Sequence, residues 1–425
     1  MIGDTEKSHT ARPRFHYGWV VAAVTFTVLL VTAGIRATPG VLMVPLETEF
    51  GWSRTAISAA IAINIALYGL IGPFAASLMN RYGLRRIVLA AIALLSLSVA
   101  LTTQMRTQWQ LTVLWGVLVG SGTGVTALVL AAVIANRWFD ERRGLVLGIL
   151  SAANATGQLV FLPLLAGLVA TRGWRTAAMA VSAAAALVFV VVWFLMRDHP
   201  SDVGLEPYGR QPGATVKPPA PLAPVAALRF ALGKPAFWLL AGSFFICGAS
   251  TNGLIGTHLI SACHDYGISE VRAANLLAMM GIFDILGTTA SGWLTDRLPS
   301  RYLLCAYYVL RGTALLFLPA TLMHQESLGW FAVFYGLDWV ATVPPTVRLT
   351  SEAFGRENTG VIYGWIGASH QLGASMAALG AGAIRTMLGD YRMAFWIASA
   401  LCLVAGAAFV TVGRRALAPR PALAA

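Results

Sequence analysis

The chain has 425 residues, 57% of them hydrophobic and only 11% charged, against roughly 25% charged in a soluble domain. So few charges cannot cover a protein of this size in water, so lipid must be its outer solvent and a soluble fold is excluded. The net charge of +12 is no nucleic-acid footprint, because the basic residues are sorted among alternate connecting segments instead of gathered in one patch.

Three stretches carry no charge at all: Ile87–Met105 with 19 residues, Thr176–Met196 with 21 and Met393–Val412 with 20. About 20 apolar residues carry a helix across a hydrocarbon core. Lipid satisfies no backbone hydrogen bonds, so a spanning segment must be a helix or part of a closed barrel. Continuous apolar runs exclude the alternating pattern of barrel strands. In chain order the sequence predicts twelve spans, with cores at 17–45, 55–79, 86–105, 109–135, 143–170, 175–196, 236–262, 271–295, 302–322, 328–349, 359–385 and 392–413. The expected fold is an all-α membrane protein of twelve transmembrane helices in two pseudo-symmetric six-helix bundles.

Residues 1–16 form a polar tail with no apolar core, so no cleaved signal peptide is expected. The first bundle is predicted at 17–196 and the second at 236–413, with a tail at 414–425. Between the bundles, 197–235 carries prolines at 200, 207, 212, 218, 219, 221 and 224, the composition of an extended linker. Of the 30 Lys and Arg, 21 lie on the tails, the linker and the loops of the same side. Seven lie on the opposite loops and two, Arg36 and Arg311, fall inside spans. That asymmetry places both termini and the linker in the cytoplasm of a plasma (inner) membrane protein.

The two halves echo each other. Gly144, Gly148 and Gly157 recur as Gly360, Gly364 and Gly373, and Asn80-Arg81 recurs as Asp296-Arg297, each 216 residues on. A constant offset across separate landmarks means a duplicated unit, and duplicated halves in so apolar a chain point to a secondary transporter. Span four reads Gly116-x-x-x-Gly120-x-Gly122-x-Gly124, and span eleven carries Gly360, Gly364 and Gly367. Small residues at this spacing let helix backbones approach closely in lipid. In span ten, Pro344-Pro345 should break the helix or open it locally.

No enzyme is expected. The sequence holds no HExxH, GxSxG or GxxxxGK[ST] pattern. Ser369 and His370 are neighbours on one helix and so point in different directions. Cys247, Cys263, Cys305 and Cys402 form no CxxC, so neither disulfides nor metal is expected, and no cofactor. The competing class is a non-transporting receptor of the same architecture, which a flux assay would separate.

The loop after span two reads Ala76-Ser-Leu-Met-Asn80-Arg81-Tyr82-Gly83-Leu84-Arg85-Arg86, and that after span eight Gly292-Trp-Leu-Thr-Asp296-Arg297-Leu298-Pro299-Ser300-Arg301. Both resemble the signature loop of the major facilitator superfamily, G-x-x-x-D-R-x-G-x-R-R. The resemblance implies a conformational latch on the cytoplasmic face, mapped here onto Asn80, Arg81, Arg85, Asp296, Arg297, Arg142 and Arg143. Asn80 stands where the family has an acid, which implies a weaker latch in the first half. His16-Tyr17-Gly18-Trp19 and Phe50-Gly51-Trp52-Ser53-Arg54 resemble bacterial relatives of monocarboxylate transporters and oxalate/formate exchangers. So does Trp138-Phe139-x-x-Arg142-Arg143-Gly144-Leu145-x-x-Gly148, although Leu150 and Asn154 depart from the small residues expected after it.

Ionisable groups inside a membrane are expensive and are functional candidates by default. Arg36, in span one, corresponds to a basic residue that monocarboxylate transporters carry in that helix, which implies a grip on a substrate carboxylate. The alternative is that it snorkels or pairs with a helix end. Asp284 aligns with the span-eight acid of those transporters, but Thr288 stands where they carry an arginine. Two readings of Asp284 stand: a proton carrier, or one member of a fixed ion pair with Arg311 of span nine, for which Asp338 of span ten competes. Asn64, Tyr68, Asn154, Gln158, Asn252, His258, His370 and Gln371 complete the candidate substrate site, with Asn154 and His370 at repeat-equivalent positions.

The function expected from sequence is therefore proton-coupled symport of a small organic anion by a monomeric transporter in the lipid bilayer. The alternative is a proton-coupled efflux antiporter for drugs or other metabolites. It is disfavoured because span four lacks an arginine before its glycines and Phe161-Leu162 replaces the Gly-Pro of that class.

Overall fold

The structure, a computed structural model, describes residues 16–210, 222–355 and 358–416, with Asn154 and Gln158 described in backbone only. The tails at 1–15 and 417–425 and the proline-rich middle of the linker, 211–221, lie outside the described residues, as do the side chains expected of Asn154 and Gln158.

The described residues form twelve helical rods. They are α1 (Gly18–Phe50), α2 (Arg54–Tyr82), α3 (Leu84–Thr102), α4 (Gln108–Trp138), α5 (Arg143–Arg172), α6 (Trp174–Leu195), α7 (Pro235–Asp265), α8 (Glu270–Thr295), α9 (Ser300–Met323), α10 in two pieces (Leu328–Asp338 and Val343–Phe354), α11 (Thr359–Leu388) and α12 (Arg392–Thr411). Every predicted span falls on one rod, with ends within five residues. Among the described residues nine rods are long and apolar enough to cross a membrane: α1 to α4, α6 to α9 and α12. A short helix, Pro224–Leu232, precedes α7 and packs on α11, where Trp365 Nε1 donates to the Pro224 carbonyl at 2.8 Å.

The duplication is visible in how the rods begin and end. Ser53 caps α2 by accepting the Ala56 N–H, and Ser269, 216 residues on, caps α8 by accepting the Arg272 N–H. A hydroxyl there satisfies a donor that the first helical turn leaves orphaned. Gly51 and Gly267 precede these caps with φ of +66° and +74°, and Gly173 and Gly389 turn the chain with φ of +81° and +82°. Both pairs are again 216 apart, and both occupy the left-handed region that costs a side chain energy.

Packing repeats in the same way. The contacts α1–α5, α2–α4 and α3–α6 reappear as α7–α11, α8–α10 and α9–α12. Between the two sets, α2 packs on α11 and α5 on α8. Exchanging the halves turns each of those pairs into the other, which is the pattern of a two-fold axis. Glycines set the closeness. Gly157 of α5 lies against the Leu30 carbonyl of α1, and its repeat partner Gly373 of α11 lies against the Phe245 carbonyl of α7.

Three rods depart from regular helix. Thr112–Val119 in α4 and Ala249–Ile255 in α7 are wider π-type turns. In α10 the helix stops at Asp338 and resumes at Val343, with Pro344 and Pro345 in the first turn of the second piece. A first turn tolerates proline because its N–H groups have no helical partner anyway.

The start of the linker folds back on the first six rods. Asp198 Oδ1 accepts the Arg85 N–H near the start of α3 at 2.6 Å, and Arg137 donates to the Asp198 carbonyl at 3.2 Å. Tyr208 N–H donates to the Trp138 carbonyl at 2.8 Å, and the Tyr208 carbonyl accepts from the N–H groups of Asp140 and Glu141. Its ring lies 5.9 Å from that of Trp19 and 6.0 Å from that of Phe139.

Close packing makes a test. A Cβ added at Gly287 of α8 would lie 1.8 Å from the Leu337 carbonyl of α10, whereas one added at Gly148 meets nothing within 4 Å. Gly287→Ala is expected to cost about 1–3 kcal/mol through overpacking, while Gly148→Ala stays within roughly 0.5 kcal/mol of the parent. Thermal unfolding of the detergent-solubilised pair of variants measures both.

Candidate functional site

The break in α10 exposes backbone groups in a medium that offers them no water. The residues that satisfy them are the ionisable ones singled out above. Arg311 of α9 is fully buried, and its Nη2 donates to the carbonyl of Asp338, the last residue of the first piece, at 2.6 Å and to that of Trp339, just beyond it, at 3.2 Å. Its Nε donates to Asp338 Oδ2 at 2.6 Å and its Nη1 to the Cys247 sulfur at 2.9 Å. Asp284 of α8 also meets the break, where its Oδ1 accepts the Val340 N–H at 3.0 Å and the Thr288 hydroxyl at 2.9 Å. Ser291 Oγ donates to the Ala341 carbonyl at 2.5 Å.

Arg311 thus pairs with Asp338. Asp284 is held by neutral donors, and Thr288, standing where an arginine was looked for, is one of them. A buried guanidinium is tolerated when its fork is filled, and the helix break fills it. Among the described residues Asp338 Oδ1 is buried and accepts no hydrogen bond, and Arg311 is the partner of this carboxylate.

Arg36 lies in α1, half-buried, with its guanidinium 4.0 Å from the centre of the Tyr68 ring of α2. A flat cation over an aromatic face gains cation–π attraction through that face and can offer hydrogen bonds through its edge. Asn252, the repeat equivalent of Arg36, sits in the π-type turn of α7, where Thr257 Oγ1 donates to its carbonyl at 2.8 Å. On α11 the His370 ring rests on Phe244 at 4.8 Å beside Cys247, and among the described residues His370 Nδ1 and Gln371 Oε1 are buried with no geometric hydrogen-bond partner. Gln371 also packs on Gly69, next to Tyr68. The structure therefore brings Tyr68 to Arg36, and Gln371 of α11 to α2 at the residue beside Tyr68.

Two candidates have other company. Asn64 of α2 is buried and donates to the Trp115 carbonyl of the α4 π-type turn at 2.7 Å. His258 of α7 is buried near the end of its rod, its Nε2 donating to the Ala378 carbonyl at 2.8 Å and its Nδ1 3.2 Å from the Tyr391 hydroxyl.

Among the described residues the loop residues contact partners in their own half. Arg137 donates to Asn80 Oδ1 at 2.6 Å, and Arg85 donates to the Trp193 carbonyl. Arg81 lies over Tyr82, Arg142 over Tyr208 and Arg297 over Trp293. Arg143 bonds the Phe139 carbonyl and Asp140. Asp296 caps α8 and is exposed.

At the opposite end of the molecule lies a network that sequence reasoning missed. Arg54 of α2 binds Asp265 at the end of α7, and Arg385 of α11 binds the same carboxylate. The available signal was a set of four charges, Glu47, Asp265 and Arg385 near the C-terminal ends of α1, α7 and α11 and Arg54 at the start of α2, which the alternation of the spans places on one side.

Comparison with known proteins agrees with this architecture. A profile of the Major Facilitator Superfamily matches residues 24–378 and 252–424. An uncharacterised transporter of that type, YcxA from Bacillus subtilis, is 24% identical over 404 residues, covering 91% of this chain and 92% of its own length. Monocarboxylate transporter 13 of Rattus norvegicus is 27% identical over 408 residues, covering 95% and 90%. Among solved structures, a bacterial homologue of the human lysosomal transporter Spinster, inward-facing and unoccupied, superposes with a TM-score of 0.74 at 17% identity, covering 96% of this chain and 99% of that one. A D-xylose-proton symporter gives 0.73 at 15%, covering 93% and 98%. The match of the family profile across most of the chain identifies it as a member of the major facilitator superfamily, a multi-pass membrane transporter and not an enzyme.

Proposed function

We propose that this transporter carries a small organic anion of the monocarboxylate class in symport with a proton. It acts as a single chain in the plasma (inner) membrane, with both termini and the linker in the cytoplasm. The bundles at 17–196 and 236–413 would rock about a central cavity between them. The observation that carries the reading is Arg36: a guanidinium inside a membrane-spanning rod, held against the face of Tyr68. Relatives named as monocarboxylate transporters support the substrate class.

A cation in the cavity opposes occlusion, because closing would bury its charge. A bound carboxylate neutralises it through two parallel hydrogen bonds. Tyr68, Gln371 and His370 supply a ring face and two polar atoms with no geometric hydrogen-bond partner among the described residues, which substrate or cavity water can satisfy. Asp284 is assigned the coupling proton and Asp338 the fixed partnership with Arg311. A protonated Asp284 accepts the Val340 N–H more weakly than a carboxylate does. Its charge state therefore acts directly on the break in α10.

Uptake into proteoliposomes tests the assignment with lactate, pyruvate, oxalate, aromatic acids and neutral drugs, with and without a proton gradient. Arg36→Ala is expected to reduce anion uptake by about 10–100-fold, the effect of losing contacts to a charged group, and Arg36→Lys to fall between. Wild-type rates in Arg36→Ala sink the anion site.

The two acids should behave differently. Asp284→Asn is expected to keep substrate exchange while losing its response to the proton gradient. Asp338→Asn strands a buried guanidinium, so it should lower thermal stability, by about 3–5 kcal/mol. A stable Asp338→Asn protein that has lost coupling would move the proton to Asp338.

For orientation, a cysteine placed at Ser201, an exposed linker position, should resist an impermeant maleimide in intact cells and react once they are opened. Ready labelling of intact cells reverses the topology.

A further inference from the structure

Away from the site just described, four charges meet where the two halves close on each other. Arg54 is only 4% exposed. Its Nη1 and Nη2 donate to Oδ2 and Oδ1 of Asp265 at 2.9 and 2.8 Å, joining α2 to α7 across the seam. Its Nε donates to Glu47 of α1, in its own half, at 2.8 Å. Asp265 accepts a second guanidinium from its own half, Arg385 of α11, at 2.7 and 3.2 Å. Arg54 Nη1 also reaches the Tyr391 hydroxyl at 3.1 Å. Thr55 Oγ1 meets Thr386 Oγ1 at 2.9 Å, and Ser58 presses on Gly382, where an added Cβ would lie 2.3 Å from its hydroxyl.

The charges balance in two ways. Together they are two cations and two carboxylates, so the closed network is neutral. Cut along the seam, they fall into Arg54 with Glu47 on one side and Asp265 with Arg385 on the other, and each part is neutral too. Separating a buried ion pair is normally costly because it strands a charge. Here neither half is left with an unpaired one, so opening forfeits only the contacts that cross the seam.

We propose that these four residues form a reversible latch. Asp265 holds this end of the transporter shut by binding Arg54, and Glu47, already on the Arg54 Nε, keeps that guanidinium paired when the end opens. The proposal adds a gate to the transport reading and rests only on its alternating access, not on the substrate or the proton assignment.

The two carboxylates therefore have opposite effects. Removing the charge of Asp265 weakens the closed state. Removing that of Glu47 weakens the open state, in which it is the remaining carboxylate partner of Arg54, while the closed state keeps Asp265. The readout is a cysteine introduced by Ser58→Cys, a position fully buried in the closed seam. The protein is held in lipid nanodiscs without substrate and treated with a water-soluble maleimide, and the chain with Ser58 intact gives the background from the native cysteines. Adding Asp265→Asn is expected to raise the labelling rate at position 58 roughly tenfold or more, the effect of one charge-assisted contact on a two-state balance. Adding Glu47→Gln is expected to lower it below the parent.

Equal directions in the two variants, or no change in either, overturn the latch. Glu47 is 35% exposed, so Glu47→Gln should fold even where Asp265→Asn does not. A raised or unchanged rate in that variant alone is then enough to overturn it. Because no substrate is present, a failed anion assignment leaves this measurement intact. A protein that transports normally but labels without the predicted opposition refutes the latch alone.

Discussion

Hydrocarbon offers a polypeptide no hydrogen bonds, and the polar architecture of this transporter follows from that. A continuous helix meets the condition by itself. An interrupted one must borrow donors and acceptors from its neighbours. The interruptions in α4, α7 and α10 are each served this way: Asn64 by binding the Trp115 carbonyl, Tyr335 by donating to the Ser250 carbonyl, and Arg311, Asp284 and Ser291 around the gap after Asp338. The ionisable residues that look functional in sequence are thus also structural. Their two roles are linked, because a group that stabilises a gap in a helix changes the gap when its charge changes.

The duplicated scaffold is symmetric in backbone and unlike in chemistry. Caps, left-handed glycines and close helix contacts recur at the same offset. Arg36, by contrast, corresponds to Asn252, and Asn80 to Asp296. Arg36 in the first six rods and the two buried acids in the second are therefore specialisations laid on one packing plan. A symmetric backbone lets the halves exchange equivalent contacts, and unlike side chains let the two halves act on different charges.

Much of the fold was legible because the signal is collective. Spans announce themselves through long uncharged runs, the repeat through an offset, and the gap in α10 through two adjacent prolines. The candidate site was legible only as a set of residue types. Which acid meets Arg311 depends on how α8, α9 and α10 rotate against each other, and no local pattern encodes that rotation. Thr288 was read as a missing arginine, and its hydroxyl turns out to bind Asp284 directly. The Arg54 network was overlooked for a different reason. Its members stand near the ends of spans, where charges are ordinarily topological, and its cross-seam partners are 211 and 337 residues apart.

The segment that follows α6 bears on how such a chain is made. Asp198 binds the start of α3, and Tyr208 closes over Trp19 and Phe139. These residues are translated directly after the sixth rod and well before Pro235 opens the seventh. Domains generally fold as units during synthesis, the N-terminal one first. Everything needed to finish this end of the first bundle has therefore left the ribosome while the second bundle does not yet exist. The first half can complete its own packing early, and it then offers α2 and α5 as a formed surface on which α11 and α8 assemble.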